Sequence, residues 1–497
     1  MEDKKVIGAE AEREELLLQT IRESKTNGQS SISNGTTDMA GSVGAQKLPQ
    51  FIAAAAVNIA AIAAGIALGW PSPSLAKLKD LDETPLGAVI NTEQESWIGS
   101  LVALGAAIGP FPAGIGCDKM GRKLTLLIST APFIVAWFMI STTCNVTQIY
   151  AARFLMGAGV GAIFTALPMY IGEISEDSIR GALGSFMQLF ITVGLLLAYA
   201  IGPYVSFFWF SVICFIIPVV FAIVFTMFPE SPAFLIAAGR KPEAKEALRK
   251  LRGLQGEALN KEISVIQESV EEAMRNKGSF MDIIKNKGNF KALLLSLGLV
   301  TGQQLSGINV VLFYTENIFT ATGSTIPAAI SAIIIGIVQV LSSALTPMIV
   351  ERLGRKLLLL ISAAGMVLSL IVLGLYFYLS NNGTDVSGIS FLPVLCLVAY
   401  MIVYCIGFGP LPWAVMGELF PANIKSIAST ATASFCWLIG FLMTKFFSNI
   451  AEVIGMSGAF WIFAGFTILS GVFVFMFLPE TKGKSLQEIQ DELNGIK

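Results

Sequence analysis

The chain has 497 residues, 54% of them hydrophobic and 14% charged, with a formal net charge of -2. It is more apolar and less charged than a soluble globular protein, so it is expected to cross a membrane many times, and its near-zero charge identifies no partner, with no nucleic-acid contact expected. It contains no histidine, which excludes a Ser-His-Asp triad, His-ligated zinc and a histidine proton relay together; an enzyme, a metal site or a cofactor is not expected.

Residues 1–50 are polar and rich in Ser, Asn, Gly and Thr, too poor in apolar residues to fold alone, and read as a disordered cytoplasmic tail. Within it Glu12 stands four residues before Leu16 and Leu17. This is the pattern of an acidic dileucine signal for a sorting adaptor; a short frayed amphipathic helix is the alternative.

Twelve apolar runs follow, each near the ~20 residues that cross the ~30 Å hydrocarbon layer. Six lie near 51–70, 97–116, 124–143, 149–172, 183–203 and 207–228; six more lie near 293–319, 328–350, 357–379, 391–417, 428–447 and 458–478. If both termini are cytoplasmic, every Lys and Arg falls on an inner segment except Lys77, Lys79, Arg153 and Lys445, as the positive-inside rule requires of an even number of spans. The plasma membrane is the expected residence, with an endosomal or lysosomal pool if the dileucine pattern is read. The six cysteines (117, 144, 214, 396, 405, 436) are scattered and imply no disulfide. Sequons begin at Asn145 and Asn382 on outer connections; Asn382 has more room and is the expected glycosylation site.

The hydrophilic insert at 229–291 divides the spans six and six. Pro242 can open a helix with Ala244, Ala247, Leu248 and Leu251 on one face, and Leu259, Ile263, Ile266, Val270 and Met274 form a second stripe. Both are expected to pack under the membrane domain. The chain then divides into a tail (1–50), an N-terminal half (51–228), a cytoplasmic helical linker (229–291), a C-terminal half (292–478) and a C-terminal tail (479–497).

Three landmarks recur between the halves. Asp118-Lys119-Met120-Gly121-Arg122-Lys123 follows the second span and Glu351-Arg352-Leu353-Gly354-Arg355-Lys356 the eighth; Glu173 precedes Arg180 by seven residues, and Glu418 precedes Lys425 by seven; Pro229-Glu230-Ser231 closes the sixth span and Pro479-Glu480-Thr481 the twelfth. Two homologous six-span halves follow, an all-α membrane protein with the parallel-repeat plan of major facilitator transporters. The flanking charges cannot enter lipid. Seven residues make about two helical turns, roughly 10.5 Å of rise, so the partners of Glu173 and Glu418 are expected from the opposite half: Lys425 and Arg180, closing the inner side when the site faces out.

Glycine pairs 105/109, 157/161 and 298/302 permit close helix contact. Prolines at 71, 73, 110, 112, 168, 410 and 412 mark bends, and Gly409-Pro410-Leu411-Pro412-Trp413 reads as a hinge.

Gln303-Gln304-Leu305-Ser306-Gly307-Ile308-Asn309 places three amides inside an apolar span, expensive unless something polar is handled there. Neutral amides offer both donors and an acceptor to ligand hydroxyls. Gln188 and Gln339 are further intramembrane amides, and Trp413 offers an aromatic plane for a C–H face. Interhelical hydrogen bonding is the alternative role, most evenly balanced at Gln339. Tyr314 lies eleven residues beyond Gln303, three turns up the same face, and is expected to cap the outer entrance.

From about Phe51 to Leu486 the motifs GIGCDKMGRK, RFLMGAGVG, PMYIGEIS with RGALGSFMQ, PESPAFL, QQLSGIN, ERLGRK, GPLPWAVMGELFP and PETKGKS together resemble a glucose-transporter-type sugar porter of the major facilitator superfamily, and TEQESWIGSL and the 229–253 stretch look most like insect facilitated trehalose transporters. The resemblance implies that Gln188, Gln303, Gln304, Asn309, Gln339 and Trp413 line the sugar cavity, and that Asp118, Arg122, Glu173, Arg180, Glu351, Arg355, Glu418 and Lys425 form the inner gate. Two departures stand out. Cys436 and Gly440 occupy positions where hexose transporters carry Asn, and Cys405 stands where many carry Glu, so the C-terminal side of the cavity is expected to be roomier and less polar. Proton-driven relatives carry an acid in the first span; here Gly69-Trp70-Pro71-Ser72-Pro73 stands there, and Glu316 is the one acid inside a span. Facilitated diffusion is expected, of trehalose first and glucose or another hexose second, with a proton-coupled symporter or a non-transporting sugar sensor as further alternatives.

Overall fold

The computed structural model describes residues 46–275, 278–322, 326–484 and 486–494, with the side chains of 177, 280, 351, 422, 486 and 487 outside the description. The dileucine pattern at Glu12, Leu16 and Leu17 lies outside the described residues.

Among the described residues, eleven apolar helical runs are long enough to cross a membrane. The last, Asn423–Phe477, is two spans in one: at Gly455 the backbone turns to φ 78° and ψ 164°, a conformation that only glycine adopts freely. The fold is therefore twelve spans, in order Leu48–Leu78, Thr92–Met120, Arg122–Ser141, Val146–Ile174, Ser178–Tyr204, Phe207–Thr226, Lys287–Phe313, Ala328–Val350, Arg355–Asn381, Ser387–Leu419 and the two within Asn423–Phe477. The first bends at Trp70, where Pro71 opens a second short helix.

Close packing knits the N-terminal half together. An added Cβ at Gly105 would lie 2.1 Å from the Phe154 carbonyl oxygen, and one at Gly157 2.1 Å from that of Val102, so the second and fourth spans touch backbone to backbone, as their small-residue spacing predicts. Trp70, Trp137, Phe207 and Phe210 fill the adjoining core.

The insert folds as short helices, Pro232–Ala237, Lys241–Arg252, Gly256–Arg275 and Phe280–Lys285. Ala244, Ala247, Leu248, Leu251, Leu259 and Ile263 are buried as the two stripes predict, but Met274 is exposed. The second stripe is thus covered only along its first turns, and the rest of that helix runs out past its support. Arg252 ties this small core to the membrane domain through the Ser175 carbonyl. The end of the molecule that carries the insert is called the insert end below, and the opposite one the far end.

Candidate functional site

The seventh span is broken twice. Lys287–Leu305 ends at Ser306, Gly307 takes φ 85°, and Ile308–Phe313 and Thr315–Ala321 continue. The tenth is broken as well, with Leu392–Ile406 separated from Leu411–Leu419. A broken helix frees backbone carbonyls that need donors. Gln303 supplies them: its Nε2 donates to the Phe408 carbonyl at 2.6 Å and the Gly409 carbonyl at 2.8 Å. Ser362 Oγ accepts from Phe408 N, and Thr346 donates to the Cys405 carbonyl, so the tenth-span break is fastened from three sides.

Around this break Gln188, Gln303, Gln304, Asn309, Gln339 and Trp413 line one cavity between the halves. The structure brings all six together. Phe164, Thr192, Tyr404, Cys405, Cys436 and Trp437 complete the wall with apolar neighbours, and every one of these groups is neutral. Asn309 Nδ2 donates to Gln304 Oε1 at 2.6 Å, and Gln304 Nε2 to Cys436 Sγ at 3.1 Å. Gln339 Nε2 meets Met401 Sδ at 3.2 Å, while Gln339 Oε1 and Trp437 Nε1 are buried without a partner. These last two groups lack a protein partner, and a buried polar atom left unpaired costs ~1–3 kcal/mol.

The expectation of a roomier C-terminal wall does not hold at Gly440. A Cβ there would lie 2.9 Å from Asn309 Nδ2 and 3.0 Å from Gln304 Oε1. The space left by the missing side chain is filled by the Gln304–Asn309 pair itself, which folds into it.

With the far end closed, the inner charged set is paired within the halves, and the cross-half pairing expected when the site faces out is not the one seen in this conformation. Glu173 binds Arg122, with Nη2 at 2.8 Å, and accepts from Ser231; Glu418 binds Arg355, with Nη2 at 2.8 Å. Both pairs lie within one half. The seven-residue spacing excludes a partner on the same helix but not the arginine of the adjacent loop, and that arginine is nearer than the opposite half in this conformation. Arg180 donates to the Ser175 carbonyl, Lys425 lines a cavity of about 340 Å³ with Arg355 and Glu418, and Asp118 is exposed. The side chain of Glu351 is outside the description. Added side chains at Gly172, Gly181 and Gly184 would meet open space, so the insert-end approach to the cavity is loosely filled.

Glu230 and Glu480 are roles that the sequence landmarks did not disclose. Glu230 accepts from the backbone N–H groups of Arg122 and Lys123, and Glu480 from those of Arg355 and Lys356, each placing a carboxylate at a helix N-terminus where the dipole favours it. Burial works to raise the Glu480 carboxyl, but N–H donation from Lys482, Arg355, Lys356 and Thr481 outweighs it and holds the group below the usual glutamate range. The recurrence of Pro-Glu-Ser and Pro-Glu-Thr was the available signal.

At the far end Tyr314 is buried, packs on Phe447 at 5.4 Å and reaches the Thr444 carbonyl at 3.4 Å. It sits between the second and eleventh spans, against Gly99 and Phe447, and is not among the residues that line the cavity. Tyr199 donates to the Leu312 carbonyl, and Glu316 N to Ser72 Oγ, further ties between the halves. Asn382 is exposed at the end of the ninth span, whereas Asn145 caps the fourth, its Oδ1 accepting from Gln148 N at 2.9 Å.

Residues 36–493 match the family model described as sugar (and other) transporter. The chain is 37% identical over 448 residues to the facilitated trehalose transporter Tret1 of Culex quinquefasciatus (90% of this chain, 86% of that protein). It is 38% identical over 447 residues to the Tret1 of Bombyx mori (89% and 86%). Of a longer Tret1, that of Anopheles gambiae, it spans 56%. Among solved structures, the inward-open xylose transporter XylE from E. coli superposes with a TM-score of 0.74 at 23% identity, over 89% of this chain and 99% of that one, which supports the major facilitator fold.

Proposed function

The chain belongs to the sugar (and other) transporter family, and on that premise we propose that it is a facilitative carrier of trehalose, working by alternating access with its insert end on the cytoplasmic side. The observation that carries this reading is the cavity wall. Amides and aromatic rings from both halves face one space, the donor–acceptor and C–H-face complement of a sugar. Gln339 Oε1 and Trp437 Nε1 would take hydroxyls first, Gln188 and Trp413 would face the ligand from opposite halves, and Gln303, Gln304 and Asn309 would exchange their present hydrogen bonds for sugar contacts. Such an exchange would couple binding to the tenth-span break, because Gln303 holds it.

Uniport is favoured over symport because the residues lining the cavity include no carboxylate to carry a proton. Trehalose is favoured over glucose by the named relatives, and the plasma membrane is the proposed residence, with Asn382 as the glycosylation site on its outer face. Arg122, Glu173, Arg180, Arg355, Glu418 and Lys425 are proposed to gate the cytoplasmic side; Arg180 and Lys425 would reach the opposite half when that side closes. The test is counterflow in proteoliposomes with labelled trehalose and labelled glucose, with and without a proton gradient. Trehalose accumulation independent of the gradient is expected. Glucose exchange without trehalose exchange would replace the substrate, gradient dependence would replace uniport, and absence of both fluxes would favour a sensor.

A further inference from the structure

The four basic residues that break the positive-inside pattern do not share one role. Lys77 pairs with Glu83, and Lys79 with Glu95, on the far end of the N-terminal half. Arg153 is buried against the Ile98 and Ala67 carbonyls, 5.2 Å from the Trp70 ring. Lys445 differs because it belongs to the eleventh span and its partners do not belong to its half.

The Lys445 side chain is only 9% exposed, so its ammonium requires compensation. Its Nζ donates to Glu93 Oε1 at 2.7 Å and to Ser96 Oγ at 2.7 Å, and lies 4.4 Å from the centre of the Trp97 ring. All three partners lie on the first turns of the second span, in the opposite half. Trp97 also donates to Glu93 Oε1 at 2.9 Å and packs on Phe441, one turn before Lys445. Next to this cluster Asn317 donates to Glu95 Oε1 at 2.5 Å, a second polar tie across the halves. One turn deeper, Gly99 leaves the slot that Tyr314 occupies: a Cβ there would lie 2.6 Å from the tyrosine oxygen.

We infer that Lys445 and Glu93, with Ser96 and Trp97, form a latch that holds the far end closed and sets the balance between the two orientations of the carrier. When the far end opens, the second and eleventh spans part, and Lys445 loses its carboxylate, its hydroxyl and its aromatic face in one step. The cost of that loss falls on opening, as does the loss of the neighbouring Asn317–Glu95 tie, whereas Lys77–Glu83 and Lys79–Glu95 close within one half and are kept. An anchoring lysine that snorkels to headgroups would make no such demand on its neighbour's sign of charge. The latch rests on the transport reading only for which side is outside; its test reads conformation, not flux.

The test uses the full chain in right-side-out vesicles, with Cys144→Ser to remove the exposed thiol, Cys405→Ser and Cys436→Ser to remove the two thiols of the cavity wall, and Leu195→Cys as the reporter on that wall. The labelling rate with a membrane-impermeant maleimide added outside is expected to rise several-fold in Lys445→Ala and Glu93→Gln and most in Lys445→Glu, and to return close to the parent rate in the Glu93→Lys, Lys445→Glu double variant. Equal rates in all variants would overturn the latch, as would a double variant no better than Lys445→Glu alone. Glu93→Gln, conservative and half-exposed, guards against a variant that merely misfolds. Trehalose counterflow in the same vesicles separates the two readings: a rescued labelling pattern without sugar exchange would keep the latch and remove the proposed substrate.

Discussion

The two ends of the molecule differ in where their ion pairs cross the seam between the halves. At the insert end the ion pairs Arg122–Glu173 and Arg355–Glu418 close within each half; at the far end Lys445–Glu93 closes between halves. Pairs within a half add rigidity to a body that moves as a unit, while a pair between halves biases where the bodies sit. The difference teaches that the position of a charge relative to the seam between the halves, more than its burial, decides whether it acts on stability or on conformational balance.

The largest expected effect lies at the seam's centre. Gln303→Ala removes two donations to the tenth-span break and leaves two buried carbonyls unpaired, at ~1–3 kcal/mol each. Trehalose uptake should fall at least about tenfold, the equivalent of ~1.4 kcal/mol, with surface expression retained; near-normal uptake would reduce Gln303 to helix packing.

Arg122→Leu comes next. It strands Glu173 in a mostly buried site, where breaking a pair costs up to ~3 kcal/mol, discounted here because both partners keep some exposure. The comparison predicts a lower melting temperature in detergent and, because Arg122 also belongs to the proposed cytoplasmic gate, far-end maleimide labelling that holds or falls but does not rise. A large rise in that labelling would erase the distinction between the two ends.

A smaller, selective effect is expected at Gly440. Gly440→Asn drives a side chain into the Gln304–Asn309 pair, so the ratio of trehalose to glucose transport should move a few-fold while total expression holds. An unchanged ratio would show that this corner does not read the sugar.

Glu480 carries the smallest. Its carboxyl is held below the usual range, so its stabilisation is present above the ordinary glutamate pKa of ~4.3 and is lost as pH falls through the lower folded value. Glu480→Gln should cost about 1 kcal/mol at pH 7, the worth of a helix cap, and the gap to wild type in melting temperature should close only below about pH 4.

Span number, the two halves and the six cavity residues were legible because each rests on a strong local signal: a run of apolar residues, a repeated motif, or an amide where lipid would reject one. The Gly105–Gly157 contact was legible for the same reason. The partners that Glu173 and Glu418 take in this conformation were not, since a helical spacing tells which residue cannot pair but not which loop lies nearer. The filling of the Gly440 corner was hidden because the occupants, Gln304 and Asn309, come from a helix more than a hundred residues earlier. Lys445 was visible as an exception to the charge rule, yet its meaning needed the second span beside it.

The central claim is that sugar binding exchanges which end of the carrier is closed. Spin-label distances measured between Val89 and Val453 at the far end, and between Lys119 and Ser426 at the insert end, test it most directly. Trehalose should add a longer far-end population together with a shorter insert-end one, and Lys445→Glu should produce the far-end change without sugar. Distance distributions at both ends that ignore trehalose and the variant alike would contradict the account.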